Sequence, residues 1–140
     1  MKITMLTTKD QWLEAFPIMK QLRTHLDKGS YISLISEAVE KDNYRLYALY
    51  DHQKMVAVVG LKPMITLYYG RFVWVCDLVT DNIYRSRGYG EYLLNFVHTW
   101  AADNKYESVA LSSGIERYQA HRFYEEKMDY EKVSYVFKSK

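Results

Sequence analysis

The sequence predicts an α/β protein with a mixed sheet and helices on both of its faces. Three observations support this prediction. Helical spacing and strand-like runs follow one another in the order β-α-α-β-β-β-α-β-α-β. Tight turns join the early strands, so these strands are antiparallel. A later strand, helix and strand form a crossover unit, which joins parallel neighbours with a right-handed connection.

The first elements are a short strand and two helices. We predict a strand at 2–6 and a helix within 7–26, where apolar residues recur at helical spacing. Pro17 lies inside that helix, so we expect a kink or break near residues 13–16. A turn follows at 27–30, and Ser30 is the expected N-cap of the second helix.

The middle of the chain carries the strongest strand patterns. Residues 44–50 and 54–61 flank a short turn and predict an antiparallel hairpin, which Pro63 is expected to interrupt. Residues 67–80 form the most apolar run, with little alternation between 72 and 75. Such a strand is covered on both faces and is therefore central.

The last part of the chain is predicted to alternate between helix and strand. The elements are a helix at 89–103, a strand at 107–112, a helix at 116–128 and a final strand at 130–138. We expect the strands near 72–80 and 107–112 to be the parallel pair of the crossover unit. His98 is expected on the outer side of its helix.

Length and composition predict one domain, 1–140. A net charge of +2 is too balanced to indicate a nucleic-acid or membrane-surface partner. The single cysteine, Cys76, excludes a disulfide within the chain and suits a reducing compartment. No apolar run has the length of a membrane span, and the N-terminus lacks a secretory signal pattern. We therefore expect a cytoplasmic protein.

The turn Arg85-Ser-Arg-Gly-Tyr-Gly90 precedes a helix and has the features of an anion site. The first N–H groups of a helix have no partner inside it, and its dipole makes that end positive. Glycines let an anion approach the backbone, and the arginines add charge. The alternative is a plain loop with solvated arginines. A P-loop is excluded because no lysine follows Gly90, and a dinucleotide fingerprint because position 93 is leucine.

These residues resemble a known family. Arg85-x-x-Gly88-x-Gly90 is similar to the R/Q-x-x-G-x-G/A signature of the GNAT superfamily, the acyl-CoA-dependent N-acetyltransferases. Residues 76–94 resemble the family's central strand, loop and helix, and 118–137 resemble its second signature, A-x-x-F-Y-x-x-x-G-[FY]. The element order matches over the whole chain, although the N-terminal third matches only in layout.

The resemblance implies a site for acetyl-CoA as co-substrate. The coenzyme's pyrophosphate would lie on the backbone of the turn, which comprises Arg85, Ser86, Arg87, Gly88, Tyr89 and Gly90. The pantetheine arm would run between the two parallel strands, which splay apart at a bulge. The matching stretch here is Leu78, Val79 and Thr80, one of whose N–H groups would hold the acetyl carbonyl. The implied reaction is direct acetyl transfer to a primary amine of a small molecule or peptide, without an acyl-enzyme.

Two residues are candidates for acid–base chemistry. Tyr124 matches the tyrosine of the second signature, and would contact the coenzyme and donate a proton to its departing thiolate. The alternative is a core tyrosine. Asp77, an acid within the most apolar strand, would hold or deprotonate the amine, unless it is a hydrogen-bonded structural aspartate. Cys76 is expected to be inert packing. No His, Cys or Asp cluster has the spacing of metal ligands, so we predict no metal.

The chain departs from the family pattern at several positions. Many members carry a glutamate earlier on the central strand, where this chain has Phe72-Val-Trp74. The usual proline, asparagine and glycine are replaced by Asn82, Arg117 and Asp129. The missing glutamate and asparagine motivate one alternative, a catalytically degenerate acyl-CoA-binding regulatory module. A further alternative is a structural or interaction domain whose basic turn binds nothing. A homodimer through the last strand is possible by analogy, and the acceptor cannot be read from the sequence.

Overall fold

The computed structural model describes all 140 residues. Five strands form one sheet in the order β1-β2-β3-β4-β5. In chain order the elements are β1 (Lys2–Leu6), α1 (Lys9–Leu22), α2 (Lys28–Lys41), β2 (Arg45–Asp51), β3 (Lys54–Thr66), β4 (Gly70–Thr80), α3 (Tyr89–Asp103), β5 (Ser108–Leu111) and α4 (Tyr118–Arg122). A 3₁₀ turn spans Asn82–Tyr84, and a π-helical turn, Phe123–Lys127, follows α4. Strands β1 to β4 are antiparallel and β5 is the parallel neighbour of β4, so the predicted mixed α/β fold is confirmed.

The chain groups into two compact units, Met1–Ala110 and Leu111–Lys140. The first contains β1 to β4 and α1 to α3. The second contains α4, the π-helical turn and the C-terminal residues. The prediction of a single domain over 1–140 stays a prediction.

Helices cover both faces of the sheet within the first unit. Ala48 packs in a core with α1 and α2, whereas the ring of its neighbour Tyr47 lies 4.9 Å from that of Phe96 on α3. Successive strand residues point to opposite faces, so α3 lies on the face opposite α1 and α2. The side chains of this α1–α2 core are Leu6, Trp12, Ala15, Phe16, Ile18, Met19, Tyr31, Ile35, Leu46, Ala48, Val58 and Val79.

Helix α1 is continuous through Pro17, so a break near residues 13–16 is wrong, while the alternative of a kink stays a prediction. A proline in a helix interior costs roughly 3 kcal/mol. Against this, each fully buried large apolar side chain contributes about 1.5–3 kcal/mol, and Trp12, Phe16, Ile18 and Met19 are all buried. Burial of the apolar face therefore outweighs the loss at proline.

Helix α2 begins one turn earlier than predicted. Its N-cap is Asp27, whose side chain accepts a hydrogen bond of 2.8 Å from the backbone N–H of Ser30. Ser30 is thus the residue that is capped, and its expected role as the cap is wrong. Aspartate serves the same purpose because its oxygen accepts from an N–H that lacks a helical partner.

Strand β3 runs through Pro63, which was expected to interrupt it. Pro63 pairs with Val73 of β4, while the pairing of β3 with β2 ends at Leu61 opposite Arg45. Beyond Leu61 one side of β3 therefore has no neighbouring strand. A proline is tolerated there because no ladder bond requires its missing N–H.

No strand forms at 130–138, so the predicted final strand is wrong. Its apolar side chains are exposed, with Val133 at 61% and Phe137 at 92%. An alternating segment becomes a strand only when an edge accepts its hydrogen bonds, and the sheet ends at the four-residue β5. The possible homodimer through this segment stays a prediction.

Candidate active site

The turn between β4 and α3 has an unusual backbone. Ser86 and Gly88 both have positive φ, at 63° and 85°, and residues 85–88 are exposed. Gly88 is the N-cap of α3 and, having no side chain, offers no capping oxygen to the helix. A Cβ built at Gly88 would meet nothing within 4 Å, so the space over the start of α3 is open. The first N–H groups of the helix therefore remain available to an outside acceptor.

Positive charge is held beside this open helix end. The guanidinium of Arg87 lies 5.5 Å from the ring centroid of Tyr84, a cation–π contact that keeps it near the turn. Arg85 is exposed at the start of the same turn. Backbone N–H groups, a helix dipole and two cations thus come together at residues 85–90, which we name the cradle, and such a combination favours an anion.

The turn is also anchored to the β2–β3 hairpin. The Tyr89 hydroxyl donates a hydrogen bond of 2.5 Å to the carboxylate of Asp51, which lowers the pKa of Asp51. His52 adds a second contact, with its Nδ1 2.9 Å from the other carboxylate oxygen. Sequence reasoning missed this anchor, because no local pattern links a turn residue to a distant hairpin.

The stretch Leu78–Thr80 pairs in regular register with Ala57–Val59 of β3. The β4 bulge lies earlier, since Asp77 faces Gly60 and Val75 faces Leu61, which leaves Cys76 as the extra residue. The expected bulge at 78–80 is therefore wrong, because the observed bulge lies at Cys76, two residues before Leu78. The ring of Tyr44 lies beside this bulge and fills the space at Gly60 where other residues carry a Cβ.

Asp77 is held by two donors from other elements. Its Oδ1 accepts from Arg23 Nε at 2.9 Å, and its Oδ2 accepts from the Tyr44 hydroxyl at 2.7 Å. Arg23 also donates through Nη2 to the carbonyl of Cys76 at 2.7 Å. The Asp77 side chain is only 15% exposed, so these partners offset the cost of burying its charge. Neither Arg23 nor Tyr44 was predicted, since only the fold brings them to β4.

Cys76 has an unreactive thiol. Burial, with a smaller contribution from the Asp77 charge, raises the pKa of this thiol to about 12. The thiolate is the nucleophilic form of cysteine, and very little of it is present near neutral pH. The expectation of inert packing is consistent with this environment.

Tyr124 lies in the second unit, within the π-helical turn Phe123–Lys127. Its ring centroid is 5.3 Å from that of Phe123 and 5.9 Å from that of Tyr130. Burial raises the pKa of Tyr124, and the charge of Arg117 offsets part of that rise. The phenol therefore keeps its proton at neutral pH and can act as a hydrogen-bond donor. π-Helical turns are rare and are frequent at functional sites.

Three further predictions concern His98, metal binding and membrane-spanning helices. His98 is partly buried rather than on the outer side of α3, and burial lowers its pKa. No group of three or more His, Cys, Asp or Glu side chains is arranged to hold a metal ion. None of the helices combines the length and apolar character that a membrane crossing requires.

Comparison with known proteins identifies a family, one relative and several similar folds. Residues 8–130 match the Acetyltransferase (GNAT) family. The uncharacterized N-acetyltransferase YhdJ of Bacillus subtilis (strain 168) is 41% identical over 133 residues, covering 95% of this chain and 94% of the relative.

Solved structures share the fold at low identity. The aminoglycoside N-acetyltransferase AAC(6')-Iy in complex with CoA superposes with a TM-score of 0.84 at 13% identity, over 99% of this chain and 93% of that one. A transcriptional regulator from Bacillus halodurans C-125 superposes with a TM-score of 0.83 at 17% identity, over 99% of each chain. At these identities the likeness establishes the fold and not the substrate.

Proposed function

Because the chain belongs to the GNAT family of acetyltransferases, we propose that it transfers the acetyl group of acetyl-CoA directly to a primary amine of a small molecule or peptide. The observation that carries this proposal is the cradle formed by residues 85–90 at the start of α3. Its open helix end, left-handed Gly88 and flanking arginines suit the diphosphate of the coenzyme.

The end of β4 would hold the reacting part of the coenzyme. When bound, acetyl-CoA supplies an acetyl thioester. We assign to one backbone N–H among Leu78, Val79 and Thr80 the task of donating to the acetyl carbonyl oxygen. Such a donor stabilises negative charge that develops on that oxygen as an amine attacks, and one donor of this kind is worth about 10²–10³ in rate.

Asp77 and Tyr124 would handle the protons. Asp77 precedes the acyl-binding stretch, and its carboxylate would attract the acceptor ammonium and take its proton directly or through water. Tyr124 would donate a hydrogen bond to the departing thiolate, a role that follows from its match to the family signature. We assign Cys76 no part in the reaction, because burial and the Asp77 charge raise the pKa of its thiol. This supports direct transfer without an acyl-enzyme.

One observation favours the second candidate, a coenzyme-binding module without turnover. Both oxygens of Asp77 already accept hydrogen bonds, from Arg23 and from Tyr44. A carboxylate so engaged is a weaker base, and Phe72-Val-Trp74 holds no acid to replace it. The two candidates share the cradle and differ only in whether acetyl transfer follows binding.

Calorimetry with CoA and acetyl-CoA tests the cradle. We expect the chain to bind both, and Gly88→Ala to weaken both by about tenfold or more, since its Cβ would enter the open space over the start of α3 that the diphosphate would occupy. Gly114→Ala is the matched control, because its Cβ would meet side-chain atoms only at 3.6 Å and its φ is not positive. An unmodified chain that binds neither compound at millimolar concentration would leave only the interaction domain.

A turnover assay separates the two candidates. Thiol release from acetyl-CoA is measured across polyamines, amino acids, aminoglycosides and peptide N-termini. Turnover with any amine supports the transferase, and Tyr124→Phe should then reduce kcat by about 10²-fold or more while CoA affinity changes little. Binding without turnover across the panel would favour the regulatory module.

A further inference from the structure

The end of β4, which is proposed to bind the acetyl group, lies between two contacts. One comes from Gln21 in the last turn of α1, and the other from Arg23, the C-cap of that helix. On the N-terminal side of this end of β4, Arg23 binds the Asp77 carboxylate at 2.9 Å and the Cys76 carbonyl at 2.7 Å. On its C-terminal side, Gln21 accepts from the backbone N–H of Asn82 at 2.8 Å. Gln21 also donates to Asp81 Oδ1 at 3.3 Å. We name these two contacts the α1 clamp.

The end of β4 has no neighbouring strand on its β5 side, because β5 is too short to reach it. Strand β4 has 11 residues, but its parallel neighbour β5 has only four and begins beside Arg71, where Glu107 N–H donates to the Arg71 carbonyl at 2.7 Å. Strand β5 therefore cannot follow β4 to its end. On the β5 side, the backbone N–H and C=O groups at the end of β4 have no partner strand, so they are free to bind a ligand. The same backbone lacks the restraint that a second neighbouring strand provides.

The α1 clamp makes hydrogen bonds to backbone atoms as well as to side chains. Arg23 caps the carbonyl of Cys76, the extra residue of the bulge, and Gln21 takes the N–H of Asn82 in the 3₁₀ turn. Tyr44, the residue before β2, donates the second hydrogen bond to Asp77. Both clamp residues come from the end of α1, and that helix is fixed to the sheet by its buried apolar face. The end of α1 and the end of β4 are thereby held as one piece.

We propose that Arg23 and Gln21 are positioning residues that hold Leu78–Thr80 in the geometry required for the acetyl carbonyl. This inference rests on the proposed function for the role of that stretch. Neither side chain needs to touch the coenzyme. They restrain this stretch of backbone, which β5 does not reach. Such restraint matters because a hydrogen-bond donor displaced by about 1 Å loses much of its effect on the rate.

Amide hydrogen exchange on the ligand-free chain tests the clamp without any coenzyme. In Arg23→Gln and Gln21→Ala, the amides of residues 76–82 should exchange about tenfold faster, as expected when a hydrogen bond to a charged or backbone group is lost. Amides of β2 and α3 should be unchanged. Arg23→Lys should be intermediate, since it keeps the charge beside Asp77 but not the two-armed contact.

Glu14→Gln is the matched control. Glu14 lies on the same helix and accepts a hydrogen bond of 3.3 Å from Tyr50 on β2, away from β4. It should leave exchange at 76–82 unchanged. If Arg23→Gln and Gln21→Ala behave like Glu14→Gln, or accelerate exchange evenly across the sheet, the clamp is refuted.

Kinetics with the amine found by the panel supply the second measurement. The clamp variants should reduce kcat by about tenfold or more, with the KM for acetyl-CoA and the calorimetric affinity for CoA within about threefold of the unmodified chain. A normal kcat with locally faster exchange would refute the positioning role. An unmodified chain that binds no CoA would instead refute the proposed function, while the exchange data would still decide whether the clamp restrains β4.

Discussion

Asp77 is a carboxylate in an apolar strand whose hydrogen-bond donors come from distant parts of the chain. An unpaired carboxylate in an apolar strand would be costly to bury. Arg23 and Tyr44 remove that cost by donating to both oxygens. The residue can still attract an ammonium ion, because each carboxylate oxygen has a second lone pair. Its proposed catalytic role and its role in fixing β4 are therefore compatible.

His98 leads to a prediction about stability and pH. Burial lowers its pKa in the folded chain, below the value of about 6.5 that an unfolded histidine has. As pH falls through about 6.5 the unfolded chain binds the proton first, so stability that is present above this pH decreases on acidification. The thermal midpoint should fall between pH 7 and 5, and His98→Gln should reduce that fall.

The control for this measurement is His25→Gln, because His25 is exposed. It should keep the pH dependence of the unmodified chain. Asp27 and Asp51 do not disturb the comparison. Their pKa values are lowered below 3.8, so their contributions are present above that value and are lost only at more acidic pH. An unchanged pH dependence in His98→Gln would contradict the assignment.

At the scale of elements, Tyr44 packs closely against Gly60 of β3, beside the bulge of β4. A Cβ at Gly60 would lie 1.9 Å from the Tyr44 hydroxyl oxygen and 2.5 Å from its Cζ. Gly60 is therefore required by the Tyr44 ring, and not by an unusual φ. The ring in turn directs its hydroxyl to Asp77. The bulge thus lies beside a close contact between β3 and the residue that precedes β2.

A double-mutant cycle tests this fit. Gly60→Ala should lower the free energy of unfolding by about 1–3 kcal/mol, the usual cost of overpacking. In a Tyr44→Ala background the same change should cost less than about 0.5 kcal/mol, because the clash is gone. Urea unfolding measures both, with Gly114→Ala as a control. Equal costs in the two backgrounds would show that Tyr44 does not impose the glycine.

At the scale of the whole molecule, the C-terminal residues differ most from expectation. Residues 130–138 have the alternation of a strand but none of its pairing, and their apolar side chains are exposed. The chain groups into Met1–Ala110 and Leu111–Lys140. The prediction of one domain over 1–140 therefore needs a measurement of its own.

Calorimetric unfolding supplies that measurement. A single domain of this size should unfold in one transition whose calorimetric and van't Hoff enthalpies agree. The enthalpy should be about 100 kcal/mol, at roughly 0.7 kcal/mol per residue near 60 °C. Two separable transitions, or a van't Hoff enthalpy well below the calorimetric one, would divide the chain into independent folding units.

The sequence by itself determined the fold class, the bounds of α3 at 89–103 and the glycine-containing turn at 85–90 that precedes this helix. These features depend on hydrophobic periodicity and on glycine at a helix end, which act over a few neighbouring residues. Only the tertiary structure decided the partners of Asp77, the passage of β3 through Pro63 and the missing strand at 130–138. Each of those depends on which distant element lies alongside, and a pattern of neighbouring residues cannot specify the edge or side chain that another element presents.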